Sequence, residues 1–133
     1  MCLLGFLCGG HAAPLRVASF NVEWGLGAAG TSNYENAVRH FERIGADLLA
    51  LQELQSDSAN LASLQQRLGL LYAYRPTSSS MQVGLLSRYP FRSSPALIDE
   101  SGMTRPILLV QVDVPGVSKD PWVAVVLRIS LSA

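Results

Sequence analysis

Two apolar, strand-like segments, Leu15–Val22 and Ala46–Glu53, flank a stretch with helical spacing, and this order constrains the fold more than any other feature. In the first segment Val17, Ser19 and Phe20 can fill a pleated surface, and Asn21 falls where the strand should end. The intervening stretch opens with Ser32-Asn33-Tyr34-Glu35, a capping-box pattern with Ser32 as N-cap and Glu35 reaching back to its amide. Ala37, Phe41 and Ile44 then recur at helical spacing, and Gly45 suits the left-handed residue that closes a helix. Asp47 to Gln52 follows as a short apolar strand carrying Leu48, Leu49 and Leu51. A strand–helix–strand unit makes a parallel pair with a right-handed crossover. Parallel strands end at the same edge of the sheet, where ligand sites in such sheets collect. Asn21 and Glu53 therefore converge, although a whole helix separates them in sequence.

The remainder of the chain extends this start into an α/β fold with a mixed sheet. A second helix begins near Ser56 or Asp57, buries Leu61, Leu64 and Leu68, and stops at Gly69. Strands are expected over Leu70–Tyr74, Met81–Ser87, Pro90–Ile98, Arg105–Val114 and Trp122–Leu131, punctuated by prolines and the polar stretch Thr77–Ser80. Gly25 to Gly30 is a glycine-rich connection and not a phosphate loop, because no Gly-Lys-Ser/Thr follows it.

Composition removes several classes of function. A chain of 133 residues is one domain at most. Ten Lys+Arg balance ten Asp+Glu, so no basic field announces nucleic-acid binding. Hydrophobic residues make up 49%, too many for a disordered chain. No apolar run reaches the roughly 18 residues needed for a transmembrane segment, and nothing sets an oligomeric state. Residues 1–13 read as a signal peptide, with an apolar run from Leu3 to Cys8 and small residues at Gly10 and Ala12 before Pro14. This implies a secreted or periplasmic protein whose domain occupies residues 14–133; a frayed cytosolic N-terminus is the alternative. Cys2 and Cys8 both lie in the leader, which leaves the domain no disulfide framework and no thiolate metal site.

A carboxylate at the strand edge can hold a hard cation. Magnesium typically takes one or two protein carboxylates and completes its shell with water and substrate phosphate. A neutral amide beside it can orient a phosphoryl oxygen or a bound water. Pattern alone favours a plainer reading, in which Glu53 is a solvated carboxylate and Asn21 a turn former.

Four segments go further. Leu15-Arg16-Val17-Ala18-Ser19-Phe20-Asn21-Val22 resembles the first strand of the endonuclease/exonuclease/phosphatase family, and Ala46-Asp47-Leu48-Leu49-Ala50-Leu51-Gln52-Glu53 resembles its second, with the Gln-Glu pair at the end. Val83-Gly84-Leu85-Leu86-Ser87-Arg88-Tyr89-Pro90-Phe91 is similar to the family's Gly-x-x-Ser-Arg-x-Pro segment, and Thr104-Arg105-Pro106-Ile107-Leu108-Leu109-Val110 to the strand after it. The resemblance covers nearly all of Leu15 to Leu131, yet only about the first half of the family's domain. It implies part of a four-layer sandwich of mixed β-sheets flanked by helices, with the second half missing. It implies magnesium, or manganese in its place, as cofactor, and hydrolysis of a phosphoester in a nucleic acid, a lipid or an inositol phosphate. Glu53 would be the metal ligand, with Asn21 and Arg105 in the phosphate pocket. Gly84, Ser87, Arg88 and Pro90 would shape a turn between strands.

The departures from the family pattern are equally specific. Arg128 and Ser130 stand where an Asn-x-His step is expected, and the Gly-Asp-x-Asn and Ser-Asp-His segments do not occur. Outside the leader the only histidine is His40, inside the first helix. The general base of the family's scheme is therefore absent from these residues. The expectation is a phosphoesterase fragment inactive on its own; the alternative is a decayed, non-catalytic binding or structural domain of the same fold. Either way, a sheet edge and an apolar sheet face should be left open to water.

Overall fold

The computed structural model describes residues 14–22, 26–54, 58–76, 83–98, 107–115 and 122–127. The leader, Arg105, Arg128 and Ser130 lie outside them. The element order is β1 (Val17–Asn21), α1 (Ser32–Ile44), β2 (Leu48–Gln52), α2 (Ser58–Leu68), β3 (Tyr72–Tyr74), β4 (Val83–Ser87), β5 (Ala96–Ile98), β6 (Ile107–Asp113) and β7 (Trp122–Leu127). Strands β1 to β4 form a mixed sheet in the order β1-β2-β4-β3; β5, β6 and β7 form a second, antiparallel sheet. The expected parallel pair is present, with Val17 opposite Leu48 and Asn21 opposite Gln52.

Alternation along the strands sorts the core into two layers. Leu49, Leu51 and Leu86 pack with Tyr34, Val38 and Phe41 of α1 and Leu61 and Leu64 of α2. Leu48, Ala50, Val83 and Leu85 point the other way, onto Leu108, Val110 and Val112 of the second sheet. The mixed sheet is thus covered by helices on one face and by a sheet on the other, and β2 and β4 are buried throughout. Asp47 ties the starts of β1 and β2 to the end of β4. Its carboxylate accepts from the Arg16 amide at 3.0 Å and from Arg88 Nε at 2.8 Å, and its carbonyl accepts from the Arg88 amide.

Several sequence expectations shift in detail. The N-cap of α1 is Thr31, whose Oγ1 accepts from the Tyr34 amide at 3.4 Å, and not Ser32. Glu35 then sits one position too far along to close a capping box; it receives a two-pronged ion pair from Arg67 of α2 instead. That hydrogen bond and the charge of Glu35 raise the Arg67 pKa above its ordinary value. Ile44 is exposed, and Tyr34 and Val38 join Phe41 on the buried face. Gly45 and Gly69 close their helices in the left-handed region as expected. The stretch from Pro90 shortens to β5, with Phe91 making an isolated bridge to Val112.

Ser87 does make a turn, accepting from the Tyr89 amide and donating to its carbonyl. Gly84 does not. It lies mid-strand in β4, where a Cβ would come within 2.5 Å of Leu54 Cδ1 and 3.4 Å of Leu61 Cδ2. Gly84→Val is expected to lower stability by about 1–3 kcal/mol through overpacking against these buried leucines. Chemical denaturation measures this; a change below about 0.5 kcal/mol would mean that α2 rides freely over β4.

Candidate metal and phosphate site

The site starts from the β1–β2 register. Ala18 and Phe20 face the helices, Phe20 meeting Phe41 edge to face at 5.4 Å between ring centres. Ser19 and Asn21 therefore face the opposite side, as do Ala50 and Gln52 of β2. At the carboxyl end of the pair, Asn21 Nδ2 donates to Glu53 Oε1 at 2.9 Å. The two residues singled out in the sequence are in direct contact.

Beside them the Gln52 amide, only 8% exposed, donates to Ser19 Oγ at 2.8 Å. This bond crosses between the two strands just inside the Asn21–Glu53 contact. Sequence reasoning missed it; the one signal for it was an amide closing an otherwise apolar strand. The Val22 amide donates to the Gln52 carbonyl and carries the pairing to the strand ends.

Glu53 is the only non-glycine with positive φ among the described residues, at 58°. A β-strand residue in its place would continue the alternation and carry the carboxylate elsewhere. The left-handed turn instead ends β2 and leaves the side chain beside Asn21. A non-glycine residue in this conformation costs roughly 1–2 kcal/mol, and such strain concentrates at functional sites.

The donor set is oxygen-based and suits a hard cation. Oε2 of Glu53 accepts from no described residue, so Glu53 retains an oxygen for a ligand. Among the described residues no group of three His, Cys, Asp or Glu side chains comes together. A metal here would have one protein carboxylate, within the range magnesium accepts when water and phosphate complete its shell. An open cleft of about 340 Å³ adjoins Asn21, lined by Phe20, Val22, Leu26, Asn33, Asn36 and Ala37. A smaller cavity of about 220 Å³ lies at the far end of β2, between Phe41, Leu49, Arg67 and Arg88, and touches neither site residue. His40 is exposed on α1, as its helical position implied.

The sequence matches the Endonuclease/Exonuclease/phosphatase family over residues 18–128. The chain belongs to that family. The fold is similar to an endonuclease/exonuclease/phosphatase from Beutenbergia cavernae DSM 12333, at a TM-score of 0.55 and 21% identity over 77% of this chain. It is similar to a D. rerio TDP2 humanized by 14 mutations, at a TM-score of 0.54 and 21% identity, again over 77% of this chain. The match takes in 35% and 43% of those two chains, so this chain spans less than half the length of either. No curated protein matches the sequence. Endonuclease/exonuclease/phosphatase proteins act on phosphoesters and generally depend on divalent metal ions. No helix among the described residues is long and apolar enough to cross a membrane.

The strain at position 53 yields a direct expectation. Glu53→Gly should be more stable than Glu53→Ala by roughly 1 kcal/mol, because both remove the carboxylate and only glycine relieves the left-handed backbone. Urea denaturation of the two variants measures the difference; equal midpoints would show that the turn at Glu53 is not held in this conformation.

Proposed function

We propose that the chain is part of a metal-dependent phosphoester hydrolase of the four-layer sandwich type, with Glu53 as the magnesium ligand. The observation that carries the reading is the Asn21–Glu53 hydrogen bond at the carboxyl edge of the parallel pair, in a chain of this family. In this reading Asn21 holds the Glu53 carboxylate with Oε1 engaged, which leaves Oε2 to face the cation. Gln52 and Ser19 keep β1 and β2 in step, so that the amide and the carboxylate stay within reach of each other. Magnesium or manganese bound there would neutralise charge developing on a phosphoryl oxygen. Arg105 is proposed to face the same phosphate from the segment before β6; it lies outside the described residues. The substrate is a phosphoester of a nucleic acid, a lipid or an inositol phosphate, met outside the cytoplasm if residues 1–13 direct export.

A second reading has its own support. Among the described residues the only histidine is the exposed His40, and no cluster of metal-binding side chains forms around Glu53. This favours a domain of the same fold that binds without catalysing. Both readings expect the 133 residues alone to lack an activated water, and general acid–base help is worth typically about 10²–10⁴-fold in rate.

Calorimetric titration with magnesium separates the site from an ordinary surface carboxylate. Binding is expected in the millimolar range, about −4 kcal/mol. It should be lost in Glu53→Ala and weakened in Asn21→Ala, with no turnover of bis-nitrophenyl phosphate above background. Magnesium binding that survives Glu53→Ala unchanged would remove Glu53 from the site. Metal-dependent turnover abolished by the same substitution would show that the 133 residues hold a complete centre.

A further inference from the structure

Two hollows meet at the end of the mixed sheet opposite Asn21 and Glu53. The cavity of about 220 Å³ is lined on its apolar side by Phe41, Ala46, Leu49, Leu68 and Leu70. A more open cleft of about 280 Å³ lies between Arg16, Asp47, Arg88 and Tyr89. Gly45 and Arg88 line both. Gly45 closes α1 without a side chain, and a Cβ there would stand 3.4 Å from Arg16 Nη1. The Arg16 guanidinium therefore lies over the residue at which the two hollows join.

The charged groups around this junction are unequally occupied. Arg67, on the cavity rim, spends both terminal nitrogens on Glu35, at 3.2 and 3.1 Å. Arg88 spends only Nε, on Asp47 Oδ1, and its terminal nitrogens make no hydrogen bond among the described residues. Asp47 Oδ2 takes the Arg16 amide and not its guanidinium. That guanidinium has no hydrogen bond or ion pair among the described residues. The open cleft thus sets two arginines, both with free donors, against one aspartate whose two oxygens are taken. Guanidinium donors of this kind suit a planar carboxylate. Glu42 also lines the cavity and makes no hydrogen bond among the described residues, which disfavours a second negative charge on an occupant. An apolar cavity of about 150 Å³ holds a benzene molecule, so the cavity here has room for one ring or a chain of similar size.

We propose that this junction binds a small, singly charged carboxylate bearing one aromatic ring or a short alkyl chain. Free donors of Arg16 and Arg88 hold the carboxylate, and the apolar part sits in the cavity against Leu49, Leu68 and Leu70. Neither Asn21 nor Glu53 lines either hollow, so this site and the metal site stand or fall separately.

The test is a nuclear magnetic resonance titration of the 133-residue chain at constant ionic strength. The probes are phenylacetate, acetate, phenylacetamide, phenethylammonium and phenyl phosphate. Phenylacetate is expected to shift the amides of Gly45, Arg88 and Tyr89. It should bind about tenfold or more tightly than acetate, which lacks the ring, and than phenylacetamide, which lacks the charge. Arg16→Gln leaves the Arg16 amide and the Arg88–Asp47 pair in place and should weaken phenylacetate by about tenfold. Ala46→Leu narrows the cavity and should bring phenylacetate down to the affinity of acetate. Glu53→Ala should leave phenylacetate binding unchanged. The probe series on the unaltered chain decides the matter even if Ala46→Leu does not fold. Acetate binding as tightly as phenylacetate would reduce the junction to an adventitious anion site and overturn the proposal. So would phenethylammonium or phenyl phosphate binding as well as phenylacetate, or phenylacetate shifts that survive Arg16→Gln unchanged. Shifts at these amides that follow protein concentration and not added phenylacetate would give the junction to a second copy of the chain and overturn it too.

Discussion

The register between β1 and β2 is the constraint on which the candidate site depends. A slip of one residue would turn Ala18 and Phe20 away from the helices and carry Asn21 to the wrong face. Burial alone resists that slip only weakly here, because β1 is mostly exposed. Polar contacts at both ends do the rest. At the start of the pair the Asp47 carboxylate holds the Arg16 amide and the Arg88 side chain. At its end the Gln52 amide reaches Ser19 Oγ. Hydrogen bonds of this kind contribute about 1 kcal/mol each, and an ion pair as open to water as Arg88–Asp47 no more than that. Their larger effect is to exclude the neighbouring registers.

Behind this pair the sheet is firm. Strands β2 and β4 are buried on both faces, between the α1–α2 layer and the second sheet. Gly84 allows Leu54 to press against β4, and Leu54 directly follows Glu53. The left-handed turn at Glu53 is therefore flanked by a buried strand and a buried leucine. A strained residue needs such neighbours, because a loose loop would relax it. The packing core and the site are connected through two consecutive residues.

Much of this was legible in the sequence because it follows from periodicity and chain order. The parallel pair, the convergence of Asn21 and Glu53, and the stops at Gly45 and Gly69 need only local patterns and the crossover rule. The failures have physical causes. Thr31 and Ser32 are both good N-caps, and the pattern Ser-x-x-Glu selected the wrong one because Glu35 had a stronger partner in Arg67, out of reach of a local reading. Ile44 fits the helical spacing of the buried face, but it lies in the last turn of α1, where the core has ended. Gly84 read as a turn former because the clash that excludes a side chain comes from Leu54, thirty positions earlier. The positive φ of Glu53 has no sequence signal, since glutamate has no preference for that region. Arg105 falls outside the described residues, and its place beside the phosphate rests on resemblance alone.

The central claim is that the strand register gathers Asn21 and Glu53 into one cation pocket. Manganese, a paramagnetic substitute for magnesium, tests it directly by nuclear magnetic resonance. At substoichiometric manganese, the amide signals of Asn21, Val22, Glu53 and Leu54 should broaden first and together, while those of Arg16, Asp47 and Arg88 at the other end of the same strands stay sharp. Broadening that begins at Asp47, or that spreads evenly over the surface carboxylates, would contradict the account.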